Sequence, residues 1–165
     1  MDVAIGGTFD PVHDGHLALF ERAFDFGDVT VGLTSDELAP KTRHVERYVK
    51  PFDERKAALK AEIEPIAARH GRSLTIRELT EPTGIATEPG FDVLIVSPET
   101  VDGGERVNEI REQKGLDPLR IEVVDHVDAE DGTRISSTRI VNGEIDRHGN
   151  LTPDREGRAA TNPEK

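Results

Sequence analysis

The sequence predicts one open α/β domain built on a parallel sheet of five strands, and three observations point to it. Short apolar runs alternate with amphipathic segments of helical spacing along most of the 165-residue chain. The first strand, helix and strand fit within residues 2–33, a length typical of a right-handed βαβ crossover. Residues 91–96 form the most continuous apolar run, which is typical of a buried central strand.

The first half of the chain contains three predicted strands and two predicted helices. The strands are short apolar runs, and the helices carry apolar residues at helical spacing. In chain order the segments are strand 2–6, loop 8–15, helix 15–26, strand 29–33, loop 36–51, a helix beginning at Asp53 and strand 73–79. Asp53 is expected to cap its helix. Pro65 is expected to end or kink that helix, with a further turn reaching His70.

The second half continues the alternation and then becomes polar. The predicted segments are loop 80–90, strand 91–96, helix 104–114, strand 119–127 and a short helix capped by Ser136 or Ser137 that runs to Val141. From about Gly143 the chain is polar, and we expect it to fray. We therefore predict a domain at residues 1–150 and a polar, flexible tail at 151–165.

Composition argues against several classes of protein. The formal net charge of −12 is unfavourable for broad contact with nucleic acid, which requires a basic surface. Cysteine is absent, so disulfides and thiolate metal sites are excluded. No run of 18 apolar residues and no signal-peptide pattern is found, so we expect a cytoplasmic protein that does not contact a membrane.

The basic residues are 15 Arg and 6 Lys, against 33 acidic residues. An acidic excess with few lysines is typical of a halophilic archaeon, whose salt-rich cytoplasm screens the repulsion between like charges. The alternative is an ordinary acidic enzyme.

The first motif, GTFDPVHDGH at residues 7–16, lies in the loop after the first strand and enters the first helix. Gly7 allows the backbone to approach a ligand closely. Thr8 offers a hydroxyl and a backbone N–H. Gly15 leaves the helix start bare, so we expect free N–H groups there that favour an anion.

Two histidines in the same motif, His13 and His16, are three residues apart and can face one phosphate from the first helical turn. Imidazole N–H groups suit a polyphosphate whose charge shifts during a reaction. Two alternatives stay open at this point. The string can be a Gly/Pro loop with two surface histidines, or the histidines can bind zinc.

The second motif is ISSTRI at residues 135–140. Two serines and a threonine at a helix start supply capping hydroxyls and N–H groups, which again favour an anion, and Arg139 adds positive charge. A plain helix cap beside a solvated arginine is the alternative.

Together the two motifs resemble the HxGH and ISSTxxR signatures of the nucleotidyltransferase superfamily, in that family's order. Residues 97–119 contain a Ser-Pro-Glu-Thr turn, then Asn108, Arg111, Lys114-Gly115-Leu116 and Pro118-Leu119. This pattern, with Gly143-Glu144-Ile145-Asp146, is similar to the archaeal and eukaryotic branch of the phosphopantetheine adenylyltransferases. The resemblance covers residues 2–150. One departure is Val141-Asn142, where many members carry a basic residue. Arg139 is a candidate to replace it, although it projects from the helix at a different angle.

The resemblance implies a Rossmann-like nucleotidyltransferase fold and the transfer of an adenylyl group from ATP to 4′-phosphopantetheine, giving dephospho-coenzyme A and pyrophosphate. Magnesium is expected with ATP, held mainly by phosphates and water rather than by the protein. Lys41, which follows an Asp-Glu-Leu turn as in related enzymes, is expected to bridge the acceptor phosphate and the α-phosphate. The oligomeric state is left open.

Site residues follow from the same resemblance. The implied catalytic residues are Thr8, His16 and Lys41. The implied acceptor-binding residues are Thr8, Asp10 and Lys41. The implied ATP-binding residues are Gly7, Thr8, Phe9, His13, Gly15, His16, Arg111, Ile135, Ser136, Ser137, Thr138 and Arg139.

Other functions remain to be weighed against this one. Adenylyltransferases for nicotinamide mononucleotide or flavin mononucleotide, and cytidylyltransferases, carry the same two motifs. A metal-dependent phosphohydrolase built on the two histidines would need further ligands that the sequence does not supply nearby. A nucleotide-sensing module without catalysis is a third possibility.

Overall fold

In the computed structural model, which describes residues 1–42 and 49–152, the described part of the chain forms one five-stranded sheet. Its order is β3-β2-β1-β4-β5, and every neighbouring pair is parallel. The strands are β1 (Asp2–Gly7), β2 (Asp28–Thr34), β3 (Leu74–Leu79), β4 (Val93–Val96) and β5 (Arg120–Val123). The predicted open α/β architecture is confirmed.

Helices connect these strands. They are α1 (Asp14–Phe26), α2 (Ala39–Thr42), α3 (Phe52–His70), α4 (Val101–Gln113) and α5 (Ser137–Val141). Single 3₁₀ turns occur at Ile85–Thr87 and Pro98–Thr100. No helix in the described ranges has the length and apolarity needed to cross a membrane.

The direction of chain winding reverses at β1. From β1 the chain proceeds outward through β2 and β3, and then returns to place β4 on the other side of β1. Such a reversal opens a crevice at the carboxyl ends of the two strands, which is where ligands bind in open α/β sheets. The middle strand is therefore β1, and β4, which we expected to be central, is its interior neighbour.

Both faces of the sheet are covered, which explains why its interior strands are apolar almost throughout. Helices α1 and α3 pack on one face, where Phe20 and Leu59 join Ile5 in the larger core cluster. Helix α4 packs on the other face, where Val107 joins Leu94 in a smaller cluster. The crevice between β1 and β4 is thus bounded by different helices on its two sides.

For α3, the expected Asp53 cap was wrong, and the expectation for Pro65 was wrong in part. Its N-cap is Pro51, so Asp53 lies within the first turn instead of capping the helix. Pro65 does not end the helix, which continues to His70 as expected and is capped by Gly71 in the left-handed conformation. Ile63 and Ile66 are buried on either side of Pro65, so tertiary packing offsets the backbone hydrogen bond that proline removes.

The expected fraying after Gly143 was also wrong for the described residues. Ile145 is 1% exposed and pairs with Leu151 in an antiparallel bridge. The Thr152 hydroxyl donates to the Gly143 carbonyl at 2.7 Å. Ordered structure therefore extends past the predicted domain boundary at 150, and the remainder of the predicted tail, residues 153–165, lies outside the described residues.

Candidate active site

Two cavities of about 320 Å³ each meet at the carboxyl ends of β1 and β4. The first, which we call the histidine cavity, lies on the α1 side and is also bounded by the start of α5. The second, the apolar cavity, lies on the α4 side. They share Thr8 and Val96 in their walls, so a ligand that spans both must pass the end of β1.

Most of the residues predicted to bind ATP line the histidine cavity. They come from the two sequence motifs, which are more than a hundred residues apart in the chain. The predicted residues in this wall are Gly7, Thr8, Phe9, His13, Gly15, His16, Ile135, Ser136 and Ser137. The fold thus brings the two motifs together.

His13 and His16 cap α1 reciprocally. His13 Nδ1 accepts hydrogen bonds from the backbone N–H groups of Gly15 at 3.0 Å and His16 at 3.4 Å. His16 Nδ1 accepts from the His13 backbone N–H at 3.2 Å. Because both Nδ1 atoms are acceptors, each neutral imidazole carries its proton on Nε2. The two rings stack with centroids 3.7 Å apart, so they present a pair of adjacent N–H donors.

Both imidazoles are neutral at pH 7. Burial lowers the pKa of His13 to about 4, with Asp14 opposing that shift and Arg134 and Arg147 adding to it. Burial also holds the pKa of His16 well below its ordinary value, and the neighbouring His13 lowers it further. The site therefore offers hydrogen-bond donors that are neutral.

The expectation of a bare helix start was wrong. The N–H groups of Gly15 and His16 are taken by His13, and the Asp14 N–H donates to the Arg147 carbonyl at 3.0 Å. The start of α1 therefore acts on the cavity through imidazole N–H groups rather than through free amides.

The two glycines of the first motif are required by close contacts with rings. A Cβ on Gly15 would lie 2.8 Å from the His13 ring, and a Cβ on Gly7 would lie 3.0 Å from the Phe9 ring. Phe9 in turn packs edge-on against His16, with ring centroids 4.8 Å apart. The small residues thus let the aromatic rings that form the cavity wall sit against the backbone.

Thr8 stands at the junction of the two cavities and is held from behind. Its hydroxyl lies 2.9 Å from the hydroxyl of Thr34 at the end of β2, a residue that the sequence did not single out. Asp10, predicted to bind the acceptor, is buried and lines neither cavity, and its Oδ2 accepts from the Lys50 N–H at 2.7 Å. The structure therefore gives Asp10 a role in fixing the loop.

The second motif caps α5 as predicted. Ser136 is the N-cap and its hydroxyl accepts from the Arg139 N–H at 3.2 Å. The Ser137 hydroxyl donates to the Pro11 carbonyl at 2.8 Å, which joins the two motifs directly. Thr138 belongs to α5 but does not line the histidine cavity.

Arg139 and Arg111, both predicted to bind ATP, have partners within the protein. Arg139 forms ion pairs with Asp131 and Glu144 and lies outside both cavity walls. Arg111 is 3% exposed, and its guanidinium donates to backbone carbonyls, including those of Ala86 and Glu88. Arg139 thus braces the turn before α5, and Arg111 braces the loop at 80–90. The predicted contacts of Arg111 and Arg139 with ATP stay predictions.

Sequence reasoning missed the basic residue that does line the histidine cavity. Arg134 lies in its wall, with a side chain 48% exposed and 3.2 Å from Glu99 Oε1. Glu99 also pairs with His126, and both residues line the same cavity. The only sequence signal was the position of Arg134 directly before the second motif.

Lys41 belongs to α2, in the segment that follows β2. Its side chain lies outside the described residues, so its predicted role stays a prediction. Within the described ranges, no group of three or more His, Asp or Glu residues is arranged to hold a metal ion.

This fold and this site define a class of protein. The family model for cytidylyltransferase-like proteins matches residues 4–143. The parallel sheet with reciprocally capped histidines after β1 and a serine-capped helix facing them is the framework of a nucleotidyltransferase.

Comparison with individual proteins narrows the class. The chain is 45% identical to a phosphopantetheine adenylyltransferase of Methanosarcina acetivorans, over 90% of this chain and 94% of that protein. It is 47% identical to the Methanosarcina barkeri protein of the same name, over 90% of this chain and 91% of that one. A crystal structure of an Archaeoglobus fulgidus protein of unknown function superposes with a TM-score of 0.66 at 36% identity, covering 76% of this chain and 90% of that one. The chain belongs to the phosphopantetheine adenylyltransferase family.

Proposed function

We propose that this chain transfers the adenylyl group of ATP to 4′-phosphopantetheine, giving dephospho-coenzyme A and pyrophosphate in coenzyme A biosynthesis. The observation that carries the proposal is the pairing of two cavities that meet at Thr8. One presents hydrogen-bond donors suited to a polyphosphate, and the other presents an apolar wall suited to an uncharged arm. An acceptor with a phosphate at one end of such an arm fits both.

The reaction needs positioning more than acid–base chemistry. An acceptor phosphate oxygen attacks the α-phosphorus of ATP, the new O–P bond forms, and the bond from that phosphorus to the leaving pyrophosphate breaks. The attacking oxygen is already ionised at pH 7, so no proton has to be removed. Catalysis then rests on alignment and on stabilising the charge that builds on the α-phosphate.

Neutral histidines suit this task. The Nε2–H of His16 donates to the α-phosphate, and that of His13 donates to the β- and γ-phosphates together with the Ser136 hydroxyl. Ser137, whose hydroxyl donates to the Pro11 carbonyl, holds the first motif against this site. Because the Nδ1 atoms are engaged by the helix backbone, the donors are oriented before ATP arrives. Arg134 adds a cation near the outer phosphates.

The apolar cavity receives the pantetheine arm. Its wall includes Ile85, Leu94 and Val107, and it begins at Thr8, which orients the acceptor phosphate. Removing apolar surface from water contributes about 25 cal/mol per Å² to binding. The arm therefore adds affinity without taking part in the chemistry.

Three further expectations belong to this proposal. Lys41 bridges the two reacting phosphates. Magnesium accompanies ATP and is held mainly by its phosphates and by water. The enzyme works in a salt-rich cytoplasm, as its net charge of −12 suggests.

Pyrophosphate release tests the proposal. The purified protein is incubated with ATP, magnesium and one acceptor at a time, in low and in molar KCl. The acceptors are 4′-phosphopantetheine, nicotinamide mononucleotide and flavin mononucleotide. We expect release with 4′-phosphopantetheine alone, and more of it in molar KCl. Release only with a nucleotide acceptor would replace the substrate, and a folded protein that binds ATP without any release would be a sensing module.

A further inference from the structure

A buried cation lies directly behind the proposed acceptor site. Arg55 of α3 has a side chain that is 0% exposed. Its guanidinium donates to the Lys50 carbonyl at 2.7 Å and the Thr8 carbonyl at 3.3 Å. It also donates to the Thr34 hydroxyl at 3.2 Å and to Asp36 Oδ1 at 3.1 Å. Two of its four acceptors therefore belong to the threonine pair at the cavity junction.

The direction of the hydrogen bonds that Arg55 makes is fixed by chemistry, whereas either hydroxyl of the Thr8–Thr34 pair can donate to the other. A guanidinium can only donate, so the Thr34 oxygen accepts from Arg55. The Thr34 hydroxyl keeps its own proton, and the Thr8 oxygen lies 2.9 Å away. If Thr34 donates to Thr8, the Thr8 hydroxyl proton points away from Thr34, towards the cavities that Thr8 lines.

We propose that Arg55 is a positioning residue for the acceptor phosphate and acts through the hydroxyls of Thr34 and then Thr8. This inference rests on the proposed function, in which Thr8 orients that phosphate. Arg55 sets the Thr8 hydroxyl as a donor, and each bond in the row polarises the next. A phosphate at the junction thus contacts the Thr8 hydroxyl, which is linked to the Arg55 guanidinium by hydrogen bonds. The phosphate does not contact the guanidinium itself.

Within residues 1–42 and 49–152, Arg55 is ion-paired only with a carboxylate that faces solvent. Its carboxylate partner, Asp36, has a side chain that is 61% exposed and is therefore solvated, whereas Arg55 is enclosed. In this low-dielectric surrounding the guanidinium attracts an incoming anion more strongly than a surface arginine does. An acceptor phosphate is such an anion.

Stability alone does not account for an arginine at this position. Burying an ion is costly, and apolar residues of similar volume often stabilise a fold as well as a buried ion pair. Arg111 shows what a purely structural buried arginine looks like here, because its bonds go to backbone carbonyls and none reaches a cavity-lining side chain. Arg55 differs because it donates to the side-chain hydroxyl of Thr34, a residue that lines the apolar cavity. A substitution at Thr34 can remove that hydroxyl.

The matched variants Thr34→Val and Thr34→Ser test the relay. Valine keeps the shape and removes the hydroxyl, whereas serine keeps the hydroxyl. For Thr34→Val we expect binding of 4′-phosphopantetheine, measured by calorimetry, to weaken about tenfold to hundredfold, and its kcat/KM to fall equally. The Kd for ATP should stay within about twofold, and Thr34→Ser should stay within about threefold of the wild type for both ligands.

Variants of Arg55 test whether its positive charge acts on the acceptor through Thr34 and Thr8. Arg55→Met should weaken 4′-phosphopantetheine binding more than ATP binding. In the Thr34→Val background the same substitution should add much less, because the two residues act in series. If Arg55→Met fails to fold, the Thr34 pair still decides the question.

Three results would overturn the relay. One is a Thr34→Val enzyme that binds 4′-phosphopantetheine like the wild type. Another is an equal loss of affinity for both ligands, which would mean a general structural role. In either case wild-type turnover of 4′-phosphopantetheine leaves the proposed function standing. The third is a wild-type protein that does not bind 4′-phosphopantetheine, which overturns the relay and the proposed function together.

Discussion

The two cavities at the junction of β1 and β4 have the same volume of about 320 Å³ and opposite chemistry. The α1 side contributes three histidines, three serines, an arginine and two acidic residues, whereas the α4 side contributes glycine, threonine and aliphatic residues. Each half of the fold thus supplies one requirement of a two-substrate transfer. Seven wall residues, Thr8 among them, belong to both cavities, so charge stabilisation and acceptor recognition can be altered separately only at residues that line one cavity.

Among the substitutions, we expect His16→Ala to separate catalysis from acceptor binding most strongly. In a folded His16→Ala enzyme, kcat should fall about 10²–10³-fold because one preorganised donor to the developing charge is lost. The Kd for 4′-phosphopantetheine should change little. Steady-state kinetics and calorimetry measure the two effects.

His16→Gln is the matched control for this substitution. Glutamine at this position can still accept from the N-cap N–H and keeps an N–H donor, so Tm should recover and kcat should be intermediate. A loss below tenfold for His16→Ala would mean that the histidine cavity is not where charge is stabilised.

The histidine cavity should also make stability depend on pH. The folded pKa of His13 is about 4, against about 6.5 in an unfolded chain. Between these values the unfolded state binds a proton that the folded state does not, so stability is lost as the pH falls through that window. His13→Asn keeps a good N-cap and removes this titration.

Chemical denaturation at pH 8 and pH 5 in molar KCl measures the effect. The wild type should lose about 2 kcal/mol more than His13→Asn between the two pH values. Carboxylates paired with arginine, such as Glu62 with Arg147, have a lowered pKa and lose their stabilising contribution only at more acidic pH. Equal losses in both proteins would show that His13 titrates as an exposed histidine does.

A substitution in the apolar cavity should weaken acceptor binding without impairing adenylyl transfer. Ala86 is 6% exposed and lines the apolar cavity. Ala86→Leu fills part of the space proposed for the pantetheine arm, so KM for 4′-phosphopantetheine should rise about tenfold, the effect expected of about 1.4 kcal/mol. KM for ATP provides the internal control, and a rise in both would show that the two cavities are not independent.

The smallest effect is expected from Arg134. Because its side chain is 48% exposed and already paired with Glu99, Arg134→Gln should raise KM for ATP only about threefold, and less in molar salt. Kinetics in low and molar KCl measure this. A larger, salt-insensitive loss would indicate that Arg134 leaves Glu99 and binds the phosphates directly.

The fold was accessible from the sequence because its signals are local. The apolar run at residues 2–6, the Gly/Pro loop after it and the amphipathic helix beyond it specify a βαβ unit without reference to the rest of the chain. The two motifs also faced each other as expected. Pro65 misled because burial of its neighbours outweighed its local cost.

The side-chain partners in the site could not be predicted from the sequence in the same way. Arg139 and Arg134 are five residues apart, and only the turn at 131–134 decides which of them is enclosed by acidic partners. The reciprocal capping by His13 and His16 replaces the Ser and Glu usual in such a box, so composition gave no signal for it. Arg55 resembled any other helical arginine until its burial was known.

The link between the Asp14 N–H and the Arg147 carbonyl has a consequence for biosynthesis. A ribosome produces the histidine loop first and Arg147 more than a hundred residues later. Ser137, which holds the loop through the Pro11 carbonyl, is also made late. A nascent chain that has emerged only as far as β5 therefore contains both histidines but lacks the residues that seat them. The histidine loop can therefore be completed only after residues 137–147 have been synthesised.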